Sequence, residues 1–214
     1  MLTKYPEMYF TPRMKKTVLP LGTLTVEETK APDGYLLDGA YMQAGDSTEQ
    51  IKGMYLTQIT EDGEFEVLSG SNQYSVSDQV IRGGVKIQKR DLETKETKAQ
   101  GSATLKDAAF AIISLNENPV LVEGKLYKKN ETVKTIQTGI DGIATTSADL
   151  LPYGKYKLEE TKAPEGYLTD VAKAIEFSIT ENGKIVDLTD ESHSIYNQIK
   201  RGDFRRSKDW SRYT

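Results

Sequence analysis

The chain has 214 residues, 37% hydrophobic and 28% charged, with a formal net charge of −4. That balance fits one large or two small globular cores and argues against nucleic acid, whose phosphates favour clustered Lys and Arg. There is no cysteine, which removes disulfides, thiolate catalysis and Cys-based metal sites.

The opening, MLTKYPEMYF, shows neither the basic n-region nor the apolar h-region of an export signal. No apolar run is long enough to span a bilayer. The lack of cysteine favours a reducing compartment, unless the chain cross-links itself by other chemistry.

Residues 19–36, LPLGTLTVEETKAPDGYL, form the first recognisable segment. Alternation places Leu24, Val26 and Glu28 on one face of a strand, and a turn follows at Pro32 to Gly34. A further turn is expected at Asp62-Gly63. Residues 74–83, YSVSDQVIRG, then read as a strand on which Asp78 shares a face with Val76 and Val80.

Next comes GVKIQKRD, where Val85 and Ile87 predict an inward Lys89. The stretch 97–109 is helix-like but is interrupted by Gly101 and has no clean period of 3.6. Phe110 and Ile112 alternate with Ala111 and Ile113 in another strand, and Asp141-Gly142 marks a turn.

Residues 151–168, LPYGKYKLEETKAPEGYL, nearly repeat residues 19–36. Here Tyr156 and Leu158 predict an inward Glu160. After a turn at Asn182-Gly183, residues 193–202, HSIYNQIKRG, align with residues 74–83 and set Asn197 opposite Asp78. Ile195 and Ile199 flank Asn197 on one face. In the final segment, DFRRSKDW, Lys208 stands as far from Gly202 as Lys89 does from Gly83.

Short strands at regular spacing, punctuated by turns, predict an all-β fold of tandem sandwich modules. The parsing is a first module truncated at its N-terminus over residues 1–82, a complete module over 83–202, and the start of a third or a disordered tail over 203–214.

In the complete module three polar groups, Lys89, Glu160 and Asn197, are delivered to the core side of three strands. Buried charges must meet a partner, so these groups are expected to meet. Burial disfavours the charged forms of amines and acids alike. A proton passing from Lys89 to Glu160 leaves a neutral amine, a nucleophile, beside the electrophilic carboxamide carbon of Asn197. Glu160 is expected to polarise the carbonyl oxygen and carry protons to departing ammonia. The product is an intramolecular Lys89–Asn197 isopeptide bond. Blander readings stand beside this one: a snorkelling lysine at a strand end, an edge carboxylate before a turn, and a strand-terminating amide.

At these residues the chain resembles the Cna protein B-type domains of Gram-positive surface adhesins and the similar SpaA-like pilin domains. The resemblance rests on Val85-Lys86-Ile87-Gln88-Lys89-Arg90-Asp91 for the lysine strand. It rests also on Glu160-Thr161-Lys162-Ala163-Pro164-Glu165-Gly166-Tyr167 for the acid-bearing motif and on Tyr196-Asn197-Gln198-Ile199 for the acceptor. It implies a prealbumin-like, Ig-like β-sandwich, with Lys89 as nucleophile, Glu160 as acid/base and Asn197 as acceptor.

In the truncated module Glu28 is the equivalent acid, expected to be idle, and Asp78 an unpaired acceptor. The lysine strand belongs before Met1, and Lys4, Lys15 and Lys16 do not sit in a V-x-I-x-K pattern. The resemblance implies a stalk module of an adhesin or pilin at the cell wall, not an enzyme beyond one self-cross-linking turnover. No cofactor or metal is expected. Partners would be neighbouring modules of the same protein, host extracellular matrix or other pilin subunits.

Three other functions remain open: a matrix- or glycan-binding sandwich without the bond, a carrier or regulatory domain of a larger enzyme, and a calcium-dependent module. The lone His193 has no accompanying nucleophile-elbow pattern. The acidic stretch 187–191 lacks EF-hand spacing and reads as a solvated turn. The Ala-Pro-x-Gly-Tyr segment reads as structural: Pro164 presets the turn, Gly166 supplies positive φ, and Tyr167 packs back on the sandwich.

Overall fold

The computed structural model describes residues 22–43, 50–52, 54–59, 75–169 and 174–202. The Asp62-Gly63 turn, Lys4, Lys15, Lys16 and the segment 203–214 with Lys208 lie outside the described residues. The chain divides into two compact units, one of Met1–Pro32 and Leu36–Gln79, the other of Asp33–Tyr35 and Val80–Thr214. Among the described residues all regular structure is β.

The first unit contains β1 (Gly22–Glu27), β2 (Tyr35–Gln43), β3 (Gln50–Lys52), β4 (Met54–Ile59) and β5 (Ser75–Val80). β1 pairs antiparallel with β4, and β2 lies between β3 and β5.

The second unit begins with its longest strand, β6 (Arg82–Asp91). There follow β7 (Ala109–Ser114), β8 (Val120–Val122), β9 (Lys125–Tyr127), β10 (Thr132–Gln137) and β11 (Ile143–Thr145). The unit closes with β12 (Leu151–Pro152), β13 (Gly154–Lys162), β14 (Ile175–Ile179), β15 (Ile185–Leu188) and β16 (Ile195–Asn197).

One sheet runs β10-β7-β13-β14, all antiparallel. The other is organised on β6, which pairs antiparallel with β11 and β12 and parallel with β15 and β16. The stretch 97–109 leads into β7 through turns and bends and forms no helix. Gly142 and Gly183, at two of the expected turns, take positive φ of 72° and 71°.

The two sheets enclose one core. Val85 and Ile87 from β6 meet Phe110 and Ile112 from β7, Tyr156 and Leu158 from β13, and Phe177 and Ile179 from β14. Period-2 alternation selects these residues because successive side chains point to opposite faces. Tyr156 and Phe177 stack with ring centroids 5.7 Å apart, and the Tyr156 hydroxyl donates to the Pro152 carbonyl at 2.8 Å. β7 departs from alternation, since all six of its residues are buried. Its outward Ala111 is small and is paired between Thr135 and Glu159.

Candidate functional site

Three strands deliver the polar groups. Lys89 continues the buried face of β6 begun by Val85 and Ile87, and its residue is 0% exposed. The snorkelling reading therefore does not describe this lysine. Glu160 follows Tyr156 and Leu158 on β13, paired with Phe110, just before a register shift between Glu160 and Lys162. Asn197 ends β16, where the parallel register sets Ile195 opposite Lys89 and Asn197 opposite Asp91. Lys89 and Asn197 are thus diagonal neighbours on adjacent strands, although 108 positions apart in the chain.

The three side chains touch. Lys89 Nζ lies 2.9 Å from Glu160 Oε1, with the two side chains 0% and 1% exposed. That approach is an ion pair outside hydrogen-bonding geometry, and Oε1 has no hydrogen-bond partner. Lys89 Nζ also donates to Asn197 Oδ1. Asn197 Nδ2 donates to Glu160 Oε2 at 2.9 Å and to the Leu168 carbonyl at 2.8 Å. Beneath them the Phe110 ring lies 5.8 Å from Lys89 Nζ, keeping water from that side.

Burial pushes the Lys89 amine down to about 8, against the opposing attraction of Glu160. A drop from the ordinary 10.5 raises the neutral, nucleophilic fraction near neutral pH by roughly 300-fold. The amide orientation differs from the sequence expectation at one contact, that of Glu160 with the carbonyl oxygen. The carbonyl oxygen of Asn197 faces Lys89, while Glu160 meets the amide nitrogen.

Sequence reasoning packed Tyr167 back on the sandwich but did not join it to Asp91 beside this triad. Asp91, two places beyond Lys89, is fully buried. It accepts from the backbone N–H of Glu93 and Thr94, from the Gln100 side chain, and from the Tyr167 hydroxyl at 2.8 Å. Desolvation raises its titration, but the bonds from Thr94, Gln100, Tyr167 and Glu93 outweigh this and leave it lowered. Burial, then the Asp91 bond and charge, push the Tyr167 phenol up to about 12. Both residues stand in the quoted motifs, one at the end of K-x-D and one at the end of G-Y. That shared terminal position was the available signal.

In the first unit the structure brings Glu28 and Asp78 together. Burial, followed by the hydrogen bond and charge of Asp78, raises the Glu28 carboxyl above its ordinary range. Glu28 Oε2 and Asp78 Oδ1 are buried atoms without a hydrogen-bond partner.

His193 sits on an exposed turn with Nδ1 2.7 Å from Asp190 Oδ2. The Ser192 hydroxyl donates to Asp190, so the cluster closes on the carboxylate as a turn cap. Hydrogen bonds from the Ser192 and His193 side chains hold Asp190 well below the usual carboxylate range. Asp187 is lowered by Thr189. Among the described residues no group of His, Asp and Glu is arranged to hold a metal, and no helix is long and apolar enough to cross a membrane.

Residues 83–192, just over half of the chain, match the SpaA prealbumin-like fold domain family. No curated protein matches the chain. Among solved structures, the Bacillus anthracis TIE protein is similar at 27% identity and a TM-score of 0.50, over 84% of this chain and 26% of that one. A streptococcal ancillary pilin aligns at 22% identity and a TM-score of 0.36, over 85% of this chain and 43% of that one. BcpA, the major pilin subunit of Bacillus cereus, aligns at 22% identity and a TM-score of 0.38, over 70% and 45%. The chain thus spans about a quarter of the TIE protein and under half of either pilin.

Proposed function

The chain belongs to the SpaA family of prealbumin-like fold domains, and we propose that it is a stalk segment of a Gram-positive surface protein, adhesin or pilin, tied internally by a Lys89–Asn197 isopeptide bond. Residues 83–202 form the complete module in this reading. Residues 1–82 belong to the module before it, and 203–214 to the start of a third module or to a tail, so the nearest partners are neighbouring modules of the same protein.

The observation that carries the proposal is the buried contact of Lys89, Glu160 and Asn197, an amine, a carboxyl and a carboxamide brought together from three strands. Lys89 passes one proton to Glu160, and its neutral Nζ attacks Cγ of Asn197. Glu160 returns that proton to Nδ2, the Cγ–Nδ2 bond breaks, and ammonia leaves. The surplus proton on Nζ passes back to Glu160 as the new amide forms. Five hydrogens on the two starting nitrogens become one on the amide, three on ammonia and one on Glu160. Because the fold holds the reactants in contact, the step is effectively unimolecular, and this supplies most of the acceleration. It turns over once, on the chain itself.

The bond would join the first and last strands of the module, β6 and β16, which are parallel neighbours. Tension entering before β6 and leaving after β16 would then pass through the bond and bypass residues 90–196. For a stalk this matters more than equilibrium stability, because pulling need not unzip the sandwich.

Intact mass decides the proposal. The wild-type chain should weigh one ammonia less than its sequence, and Lys89→Ala and Glu160→Ala should each keep full mass. A wild-type chain at full sequence mass overturns the cross-link. A Glu160→Ala chain that still loses ammonia removes Glu160 from the mechanism.

A further inference from the structure

The amide of Asn197 is held by more than its reaction partners. Its two N–H bonds go to separate acceptors, Glu160 Oε2 and the backbone carbonyl of Leu168. That carbonyl stands at the end of the 163–168 turn, which is anchored from three directions. Gly166 takes φ +86°, and a Cβ there would come within 2.5 Å of Ala103 Cβ, so the turn lies flush against the loop that follows β6. Backbone bonds from Leu168 N to Gln198 O and from Lys200 N to Gly166 O clip the turn to the chain around Asn197. The third anchor is the Tyr167 hydroxyl on Asp91.

Asp91 belongs to the lysine strand and is paired in register with Asn197. One side-chain hydrogen bond therefore fixes the turn that orients the acceptor to the strand that bears the nucleophile. We propose that the Tyr167–Asp91 contact is a positioning device for the cross-linking step, and that the Leu168 carbonyl it places selects a carboxamide at position 197. The Leu168 oxygen and Glu160 Oε2 turn the amide nitrogen away from Lys89, so the carbonyl side meets the amine and the nitrogen meets the proton carrier. A carboxylate at 197 would set an oxygen against the Leu168 carbonyl oxygen, a repulsive contact that no proton bridges, since a backbone carbonyl carries none. The site is thereby built to release ammonia rather than water.

This inference rests on the isopeptide reading, and the experiment separates the two. The full chain is made by cell-free synthesis, translation is arrested, and loss of mass is followed in time for wild type, Tyr167→Phe and Asn197→Asp. Tyr167→Phe keeps the buried ring and removes only the hydroxyl. It should lose ammonia about tenfold more slowly than wild type or slower, at a temperature where its circular dichroism shows it folded. A purely structural tyrosine would lower the melting temperature and leave that rate unchanged. Asn197→Asp should lose water at least about tenfold more slowly than wild type loses ammonia.

A Tyr167→Phe rate equal to wild type overturns the positioning role, and an equally fast Asn197→Asp overturns the selection. If wild type itself keeps its ammonia, the isopeptide reading has failed instead. Should Tyr167→Phe not fold, the Asn197→Asp comparison still decides whether the carbonyl selects.

Discussion

Replacing Asn197 with Ala tests the proposed cross-link most directly, because it leaves Lys89 and Glu160 to pair with each other. Lys89→Ala would strand a buried Glu160 carboxylate at a cost of about 3–5 kcal/mol, mixing that penalty with loss of the bond. In Asn197→Ala the removed constraint is a loop closed between positions 108 apart. The chain-entropy relation used for disulfides gives roughly 5 kcal/mol for such a loop. A module of about 120 residues unfolds with an entropy near 250 cal/mol/K, so this becomes a fall in melting temperature of about 20 °C. The two hydrogen bonds donated by Asn197 Nδ2 add nothing to this difference, because that nitrogen leaves as ammonia when the bond forms. Scanning calorimetry of wild type and variant, with intact mass on the same samples, measures the effect. A variant that melts within a few degrees of a wild type lacking one ammonia would refute the claim that the bond constrains the unfolded chain.

Two further outcomes concern protons. In the Asn197→Ala chain Lys89 stays an amine with a folded-state pKa of about 8, against 10.5 when exposed. Between those values the unfolded chain binds more protons, so stability should rise with pH, by roughly 3 kcal/mol across the window, and be flat with respect to this group below pH 8; denaturant titrations at pH 7, 8.5 and 10 that show no rise would refute it. In the first unit Glu28 titrates above its unfolded range because of burial and Asp78. Its charged form is therefore the unfavourable one, and Glu28→Gln should raise that unit's denaturation midpoint at pH 7, a lowered midpoint being the contrary result.

Much of the fold and site was legible because period-2 alternation is a strong rule when neighbours are apolar. Val85 and Ile87 dictated the side taken by Lys89, and Tyr156 and Leu158 that of Glu160; the structure buries all of these side chains. Alternation says which face a residue occupies but not which strand lies alongside or in which direction. The parallel pairing of β15 and β16 with β6, which makes Lys89 and Asn197 diagonal neighbours, was therefore not legible. Burial of both faces of β7 is consistent with its nearly continuous apolar run, AFAIIS, but which strands flank it was not legible. The Asp91–Tyr167 bond joins positions 76 apart, each of which reads alone as a turn or packing residue. The Leu168 carbonyl has no sequence signature, because every residue has one.

That last group bears on the difference between the two copies of the repeat. The copies share the E-E-T-K-A-P segment and the Gly-Tyr-Leu that follows, yet the aligned acceptor is a carboxamide in one and a carboxyl in the other. Asn197 offers two N–H donors and meets two acceptors. Asp78 offers none when ionised, and its neighbour Glu28 is another acid. Two carboxyls in contact hold together only by sharing a proton, which is the direction in which Glu28 is shifted. A lysine ammonium meeting that pair would neutralise it, whereas at Asn197 the lysine meets the carbonyl oxygen of a neutral group. On the proposed reading, the substitution at one position thus separates a site organised around charge neutralisation from one organised around a leaving group.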